Sequence, residues 1–296
     1  MSDTEDYYLS DIHVENTSFM NETSQNDFKT SRVEFVLPNK SSCQPEYDLD
    51  GDLVVNKERK KYLIKIQHQL RTKLSEVGFQ LWRASFYLMD FIINNPDLFQ
   101  DRLVVELGSG LGIVSMTCAL FAQKVLCTDI PKVVVQAEKN YLLNKDTLNV
   151  NNLHFTPITW SNFNERLIEN LNSNYLDFIK DTNVFIAADV VYDDLLTIKL
   201  MNTLYKLITY GDRKTTKYCY ISGESRINFT LDDLEETDCA YNYFKKSLLE
   251  LDEYIDTDLN VTFKVTQLDC ENMPKYVLNY DRNSFLYIWR IEMSPV

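Results

Sequence analysis

Glycine is scarce in this chain, with seven among 296 residues, where average composition gives roughly twenty for that length. Histidine is scarcer, with three. The six cysteines, at 43, 118, 127, 219, 239 and 270, form no C-x-x-C pair and lie beside no paired histidines. That spacing argues against a zinc site and a disulfide framework, and for thiols kept reduced in the cytoplasm or nucleus. No uncharged apolar run approaches the roughly 18–20 residues of a membrane span. The opening MSDTEDYY is acidic and has no apolar stretch of the secretory kind. Basic residues are outnumbered, 30 against 44 acids, for a net charge of −14. A duplex-binding protein presents a basic face, so a direct nucleic-acid partner is not expected, nor is a membrane. An acidic body steers basic protein surfaces toward itself instead.

Ordinary globular composition is present: 45% apolar and 25% charged residues. Charge is uneven along the chain. Residues 1–56 hold twelve acids and three bases, which is nine of the fourteen net negative charges. With few apolar residues in period, 1–30 reads as disordered, with a strand at 33–37. The expected division is an acidic, largely disordered extension over 1–45, a β-rich lead-in over 46–77, and a main domain over 78–296.

Alternation at 62–70 suggests a strand carrying His68, a structural residue by default. A helix follows over 81–94, ending before Pro96. Short apolar strands then alternate with helical stretches: strands at 103–107, 124–128, 153–159, 184–188 and 218–222, helices at 112–123, 132–144, 163–170, 195–210 and 238–251. Segments 261–268 and 284–291 read as a final antiparallel pair, with Trp289 in its core. Such alternation predicts an α/β fold, a largely parallel sheet covered on both faces. Ligands bind such a sheet at the carboxyl ends of its strands.

Three of the seven glycines fall within five residues, in Val105-Glu106-Leu107-Gly108-Ser109-Gly110-Leu111-Gly112. The segment follows an apolar strand and opens a helix. Glycine there permits a sharp turn and close backbone approach to a ligand. The spacing is not G-x-G-x-x-G, because position 113 is Ile113, and G-x-x-x-x-G-K-[ST] does not occur. Asp129 ends the next strand, 23 residues after Glu106. A carboxylate there can accept hydrogen bonds from both ribose hydroxyls; it can equally cap the following helix.

The pattern E-x-G-x-G-x-G resembles that of the seven-strand, class I S-adenosylmethionine-dependent methyltransferases. In that class the acid contacts the cofactor's amino-acid end, which suits a cationic ligand without phosphate. Three further stretches narrow the likeness: Gly78-Phe79-Gln80-Leu81-Trp82-Arg83-Ala84-Ser85, Ile158-Thr159-Trp160 and Ala188-Asp189-Val190-Val191-Tyr192. Together they resemble the family-16 protein lysine methyltransferases. One branch of that family is approached more closely still, over roughly 48–292. That likeness rests on Asp50-Gly51-Asp52-Leu53-Val54-Val55, Val77-Gly78-Phe79-Gln80-Leu81-Trp82-Arg83, Cys127-Thr128-Asp129, Tyr192-Asp193-Asp194-Leu195 and Glu224-Ser225-Arg226-Ile227-Asn228-Phe229-Thr230.

The resemblance implies a seven-strand Rossmann-like domain that binds S-adenosylmethionine and methylates a lysine of a basic, nuclear protein partner, acting as a monomer without a metal. It implies that the cofactor meets Glu106, Gly108, Ser109, Gly110, Gly112, Asp129 and Ile130, with Trp82, Trp160 and Ala188 beside it. Asp189 and Tyr192, at the end of the fourth strand, stand where the target amine enters and are the expected catalytic residues. Asn228 and Phe229 fall on the substrate rim. Many relatives carry Asp where this chain has Thr159, so adenine recognition passes to backbone groups, Ser161 or a neighbour. Tyr192 and the tryptophans can alternatively be packing residues. Three rival readings share much of this pattern: a small-molecule N-methyltransferase, a non-catalytic cofactor-binding scaffold, and a nicotinamide dehydrogenase, the last disfavoured by the glycine spacing.

Overall fold

The computed structural model describes residues 7–10, 28–38, 60–161, 167, 171, 173–226, 228–230, 235–278 and 280–296. The chain enters through β1 (Tyr7–Leu9), β2 (Lys29–Val36), β3 (Lys61–His68) and β4 (Arg71–Lys73). A 3-10 turn, Leu74–Phe79, leads to α1 (Arg83–Asn94). Then come β5 (Leu103–Leu107), α2 (Ile113–Cys118), β6 (Lys124–Asp129), α3 (Pro131–Leu148) and β7 (Leu153–Pro157). They are followed by α4 (Ser173–Lys180), β8 (Val184–Ala188), α5 (Asp194–Ile208) and β9 (Lys217–Glu224). A short hairpin, β10 (Asn228–Thr230) and β11 (Glu235–Thr237), precedes α6 (Cys239–Leu251). The chain closes with β12 (Ile255–Asp256), β13 (Val261–Gln267) and β14 (Leu286–Pro295).

Eight strands form the central sheet, in the order β12-β13-β14-β9-β8-β5-β6-β7. The five from β9 to β7 run parallel, and β14, β13 and β12 are antiparallel. Apart from the two-residue β12, this is the expected seven-strand class I methyltransferase sheet. Its inner strands read as unbroken apolar runs because both faces are covered. Along β8, Val184, Ile186 and Ala188 pack into one core, while Phe185 and Ala187 pack into the other. The chain steps outward from β5 to β6 and β7, then returns to the far side of β5 as β8. That reversal leaves a crevice at the carboxyl ends of β5, β6 and β8.

Strands β2 and β3 form a separate hairpin, paired from Lys29–His68 to Val36–Lys61. Its outer edge is not left open. On α3, Asn140 and Asn144, one helical turn apart, exchange hydrogen bonds with the backbone of Gln67 and Lys65, at 2.7–3.2 Å. Two side-chain amides thus do for β3 what a neighbouring strand would, and bind the hairpin to the sheet domain. His68 is buried in this hairpin, its Nε2 2.7 Å from the Ser31 hydroxyl, which fits its structural reading.

Several sequence expectations need correction. Residues 1–30 are not uniformly without structure: β1 pairs with β4, and Lys29–Thr30 belong to β2. The boundary expected at 45–46 lies outside the described residues. Helix α2 stops at Cys118, short of 123, because the amide of Asn152 takes the free carbonyls of Ala119 and Ala122, at 3.0 and 2.8 Å. Helix 163–170 lies almost wholly outside the described residues, as do Asp50–Val55, whereas α4 was not expected. No helix among the described residues is long and apolar enough to cross a membrane.

Candidate active site

The crevice is a cavity of about 340 Å³. It is built by the glycine loop after β5, the end of β6, the segment after β7, the end of β8 and the turn before α1. Ten of the twelve residues singled out from sequence line it: Trp82, Gly108, Ser109, Gly110, Asp129, Ile130, Trp160, Ala188, Asp189 and Tyr192. These come from five separate stretches of chain. Glu106 and Gly112 do not line it.

Gly108 needs its glycine on two counts. Its φ is +68°, and a Cβ there would meet the Trp160 ring and Val190 Cγ1, each at 2.8 Å. The loop therefore lies hard against the indole that closes the cleft on the β7 side. Gly112 also has a positive φ, of +80°, but a Cβ there would press on Ala137 of α3. Its place is between helices, not against a ligand.

Asp129 organises the loop it faces. One carboxylate oxygen accepts from the Gly110 N–H at 2.8 Å, the other from the Ile130 N–H at 2.7 Å. Burial nevertheless raises its pKa to about 6, against those two hydrogen bonds. Each oxygen keeps a lone pair for a further donor. The capping reading does not hold, because the N-cap of α3 is Ile130 and no side chain caps the helix; the ligand-binding geometry is left open.

Glu106 sits beneath the loop, 1% exposed, with the Ser115 hydroxyl donating to Oε2. Burial raises its pKa to about 8, and that hydrogen bond opposes the rise. The native state therefore holds a proton that the unfolded chain releases near the usual value of 4.5. Stability contributed by this site falls as pH rises from about 4.5 to about 8. Glu106→Gln should flatten that loss. By calorimetry, the wild type should lose roughly 5 °C or more in Tm from pH 5 to pH 8, and the variant clearly less. Parallel curves for the two proteins would refute the assignment.

At the end of β8, Asp189 adopts a positive φ of +55°, its N–H held by the Ser222 carbonyl at 2.9 Å. The twist turns its buried carboxylate toward Arg226, whose Nη2 lies 2.7 Å from Oδ2. The same guanidinium sits 5.0 Å from the centre of the Trp82 ring. Trp82 is anchored through Nε1 to the Val77 carbonyl at 2.9 Å. Tyr192 has its pKa pushed up to about 12, chiefly by burial and then by the charges of Asp129, Asp193 and Asp189. It stays protonated in any working buffer, a hydroxyl donor with an aromatic face.

Two residues of the lining each carry a buried polar atom without a strong partner. Gln80 Oε1 is buried with none, although its Nε2 bonds the carbonyls of Tyr8 and Leu70. The buried Ser109 hydroxyl has only the weakly polar Cys127 thiol. Buried orphans of this kind suit a polar ligand. Ser161, one candidate for adenine, is not in the lining; its hydroxyl accepts from Lys206 Nζ at 3.5 Å, and its N–H bonds the Thr203 hydroxyl at 3.0 Å. Thr159 is in the lining. Histidine supplies none of the lining residues, and among the described residues no cluster can hold a metal. The side chains of Asn228 and Phe229 lie outside the described residues.

Sequence reasoning did not single out Gln80, Lys199, Leu74, Ser75 or Val77, all of which line the cavity, nor Arg226 as the partner of Asp189. Val77, Gln80 and Arg226 fall inside stretches that carried the family resemblance. Nothing in the sequence marks Lys199.

The family model described as lysine methyltransferase matches residues 58–246. Methyltransferase-like protein 22 of Mus musculus is 33% identical over 271 residues, covering 86% of this chain and 65% of that protein. The Homo sapiens protein of the same name is 30% identical over 252 residues, covering 79% and 58%. Protein-lysine N-methyltransferase EFM3 of Saccharomyces cerevisiae is 26% identical over 226 residues, covering 70% and 60%. The chain thus spans about three fifths of the length of these relatives.

Proposed function

The chain belongs to the lysine methyltransferase family, and from that premise we propose that it is an S-adenosylmethionine-dependent protein-lysine N-methyltransferase. The observation that carries this reading is one cavity in which Asp129 and the glycine loop face Asp189 and Tyr192. One end has acceptors for a diol, and the other has a buried carboxylate for a cation. The bound cofactor would supply an electrophilic methyl on a sulfonium. Asp129 would receive the ribose hydroxyls, and the Gly108–Gly110 backbone would let the ligand approach closely. Ser109 and Gln80 would find their missing partners in it. Trp160 and Ile130 would border the base, with backbone groups near Thr159 reading its edge. Glu106, protonated beneath the loop in the free protein, would ionise only as the cationic amino-acid end of the ligand lowers its pKa, and need not touch the ligand.

The acceptor side follows from charge. A lysine holds its proton to about pH 10.4 in water and so arrives as a cation. Asp189 receives and orients it, while Trp82 and Tyr192 cover its aliphatic stem. Their apolar surfaces disfavour the charged form and lower the amine's pKa. With no histidine in the lining, the proton leaves to water. Holding the amine in line with the methyl supplies the rest, since fixed reactants gain large effective molarity. The partner is a basic protein, drawn by the net charge of −14, in the nucleus or cytoplasm. The catalytic body is the monomeric domain 78–296, to which the hairpin of β2 and β3 is fastened.

The test is transfer of labelled methyl from S-adenosylmethionine into extract of cells that lack this protein, where unmodified target accumulates. Label should enter lysines of one protein or a few. Label confined to small metabolites would replace this reading with the small-molecule one. Cofactor binding without any transfer would leave a scaffold.

A further inference from the structure

A second cavity, of about 640 Å³, adjoins the cleft and shares Trp82, Asp189 and Tyr192 with it. Its wall carries five carboxylates, Asp189, Asp193, Asp194, Glu224 and Asp238, against a single cation, Arg226. Arg226 is already paired with Asp189, and Glu224 is paired with Arg83 outside the wall, so the wall keeps a net negative charge. Glu224 adds a more specific sign. It is 8% exposed, and one of its oxygens is held by Arg83 and Asn283. The other is buried without a partner.

The rim of this chamber is apolar and open. Leu9 and Leu195 are each 69% exposed, and Tyr8 and Leu74 each 40%. All four line the chamber, yet they come from β1, the 3-10 turn and the first turn of α5. Scattered exposed apolar residues need no explanation, but a convergent group at the mouth of a charged cavity does. Strand β1 is fixed there by pairing with β4. Its flank is held by Gln80 Nε2 donating to the Tyr8 carbonyl at 2.8 Å and by Ser10 Oγ donating to the Leu81 carbonyl at 2.7 Å. These ties run to the two residues directly before Trp82.

We infer that β1 and the start of α5 form a docking rim for the acceptor protein. An apolar side chain next to the target lysine rests against Leu9 and Leu195, and basic residues around it face the carboxylates below. The occupant is therefore a basic segment with an apolar residue beside the lysine, and charge complementarity selects it over a second copy of this acidic chain. This inference rests on the protein-lysine methyltransferase reading. It goes beyond that reading by giving the N-terminal strand a role in choosing the substrate.

The experiment compares the full-length protein with a Leu9→Ser/Leu195→Ser variant, using labelled-methyl transfer into extract of cells lacking the protein. Cofactor affinity is measured separately by titration calorimetry. At limiting extract the variant's initial rate should fall at least tenfold and recover as extract is raised, with cofactor affinity within twofold of wild type. Leu9→Met/Leu195→Met should keep the wild-type rate. Asp194→Asn, on an exposed residue, should lower the rate at low salt about threefold and weaken its salt dependence. Wild-type rates for the serine variant at limiting extract would overturn the inference. So would a loss that extract cannot restore, or a fall in cofactor affinity, since either would assign these residues to the catalytic cleft. If the wild type labels no protein, the methyltransferase reading fails first, and the docking rim fails with it.

Discussion

Asp129→Asn should weaken S-adenosylmethionine binding by about two to three orders of magnitude while the protein stays folded. Both carboxylate oxygens accept backbone N–H groups, from Gly110 and Ile130. The amide that replaces one oxygen is a donor and must face one of these donors, so one contact becomes a repulsion. The loop then loses the tie that holds Gly110 beneath the ligand. The ligand's hydroxyls also lose a charged acceptor. Hydrogen bonds to a charged group contribute about 1.5–3 kcal/mol each, so losing one ligand bond outright and part of the loop's internal bond, about 3–4 kcal/mol together, accounts for that range. Titration calorimetry checks it. An affinity within threefold of wild type would remove Asp129 from the cofactor site and leave it only as the acceptor for the Gly110 and Ile130 N–H groups.

Asp189→Asn should lower turnover at least a hundredfold and leave cofactor affinity within about threefold. Asparagine suits this test because it is among the few residues that tolerate a positive φ, so the backbone at +55° need not move. Only the charge is lost. The change leaves Arg226 without its buried partner, and breaking such a pair typically costs 2–5 kcal/mol. It also removes the one carboxylate common to the cofactor cleft and the outer chamber. Single-turnover transfer with pre-bound cofactor, read beside the calorimetric affinity, separates the two effects. Full turnover would strip Asp189 of any role in receiving the amine. Loss of cofactor affinity would reassign it to the other end of the cleft.

Much of this site was legible before any coordinates. The glycine cluster, Asp129, Trp160, Asp189 and Tyr192 stand at strand ends, and strand ends are readable because apolar runs stop there. Once the strands are parallel, their carboxyl ends must share one edge of the sheet, and residues at those ends must meet. Glu106 was harder. Its position in the motif is plain, but side chains alternate along a strand, and the loop folds over it, so it is buried beneath the cleft rather than lining it. Gly112 went the same way for a packing reason, its contact being with Ala137 on α3. Leu74, Ser75 and Lys199 carried no pattern, because a lining residue on an irregular segment has no period to reveal it.

The parallel sheet, the glycine loop and the acids at its strand ends follow from the amino-acid order alone, since each depends on local periodicity and on backbone freedom at single residues. Contacts between segments distant in sequence do not. The pairing of Arg226 with Asp189, the asparagine pair that closes the edge of β3, and β1 at the mouth of the outer chamber join positions from 37 to more than 180 residues apart. Nothing in one stretch encodes which distant partner will satisfy its charge or hydrogen bonds. Only the packed chain, where every buried polar group must find an answer, decides that.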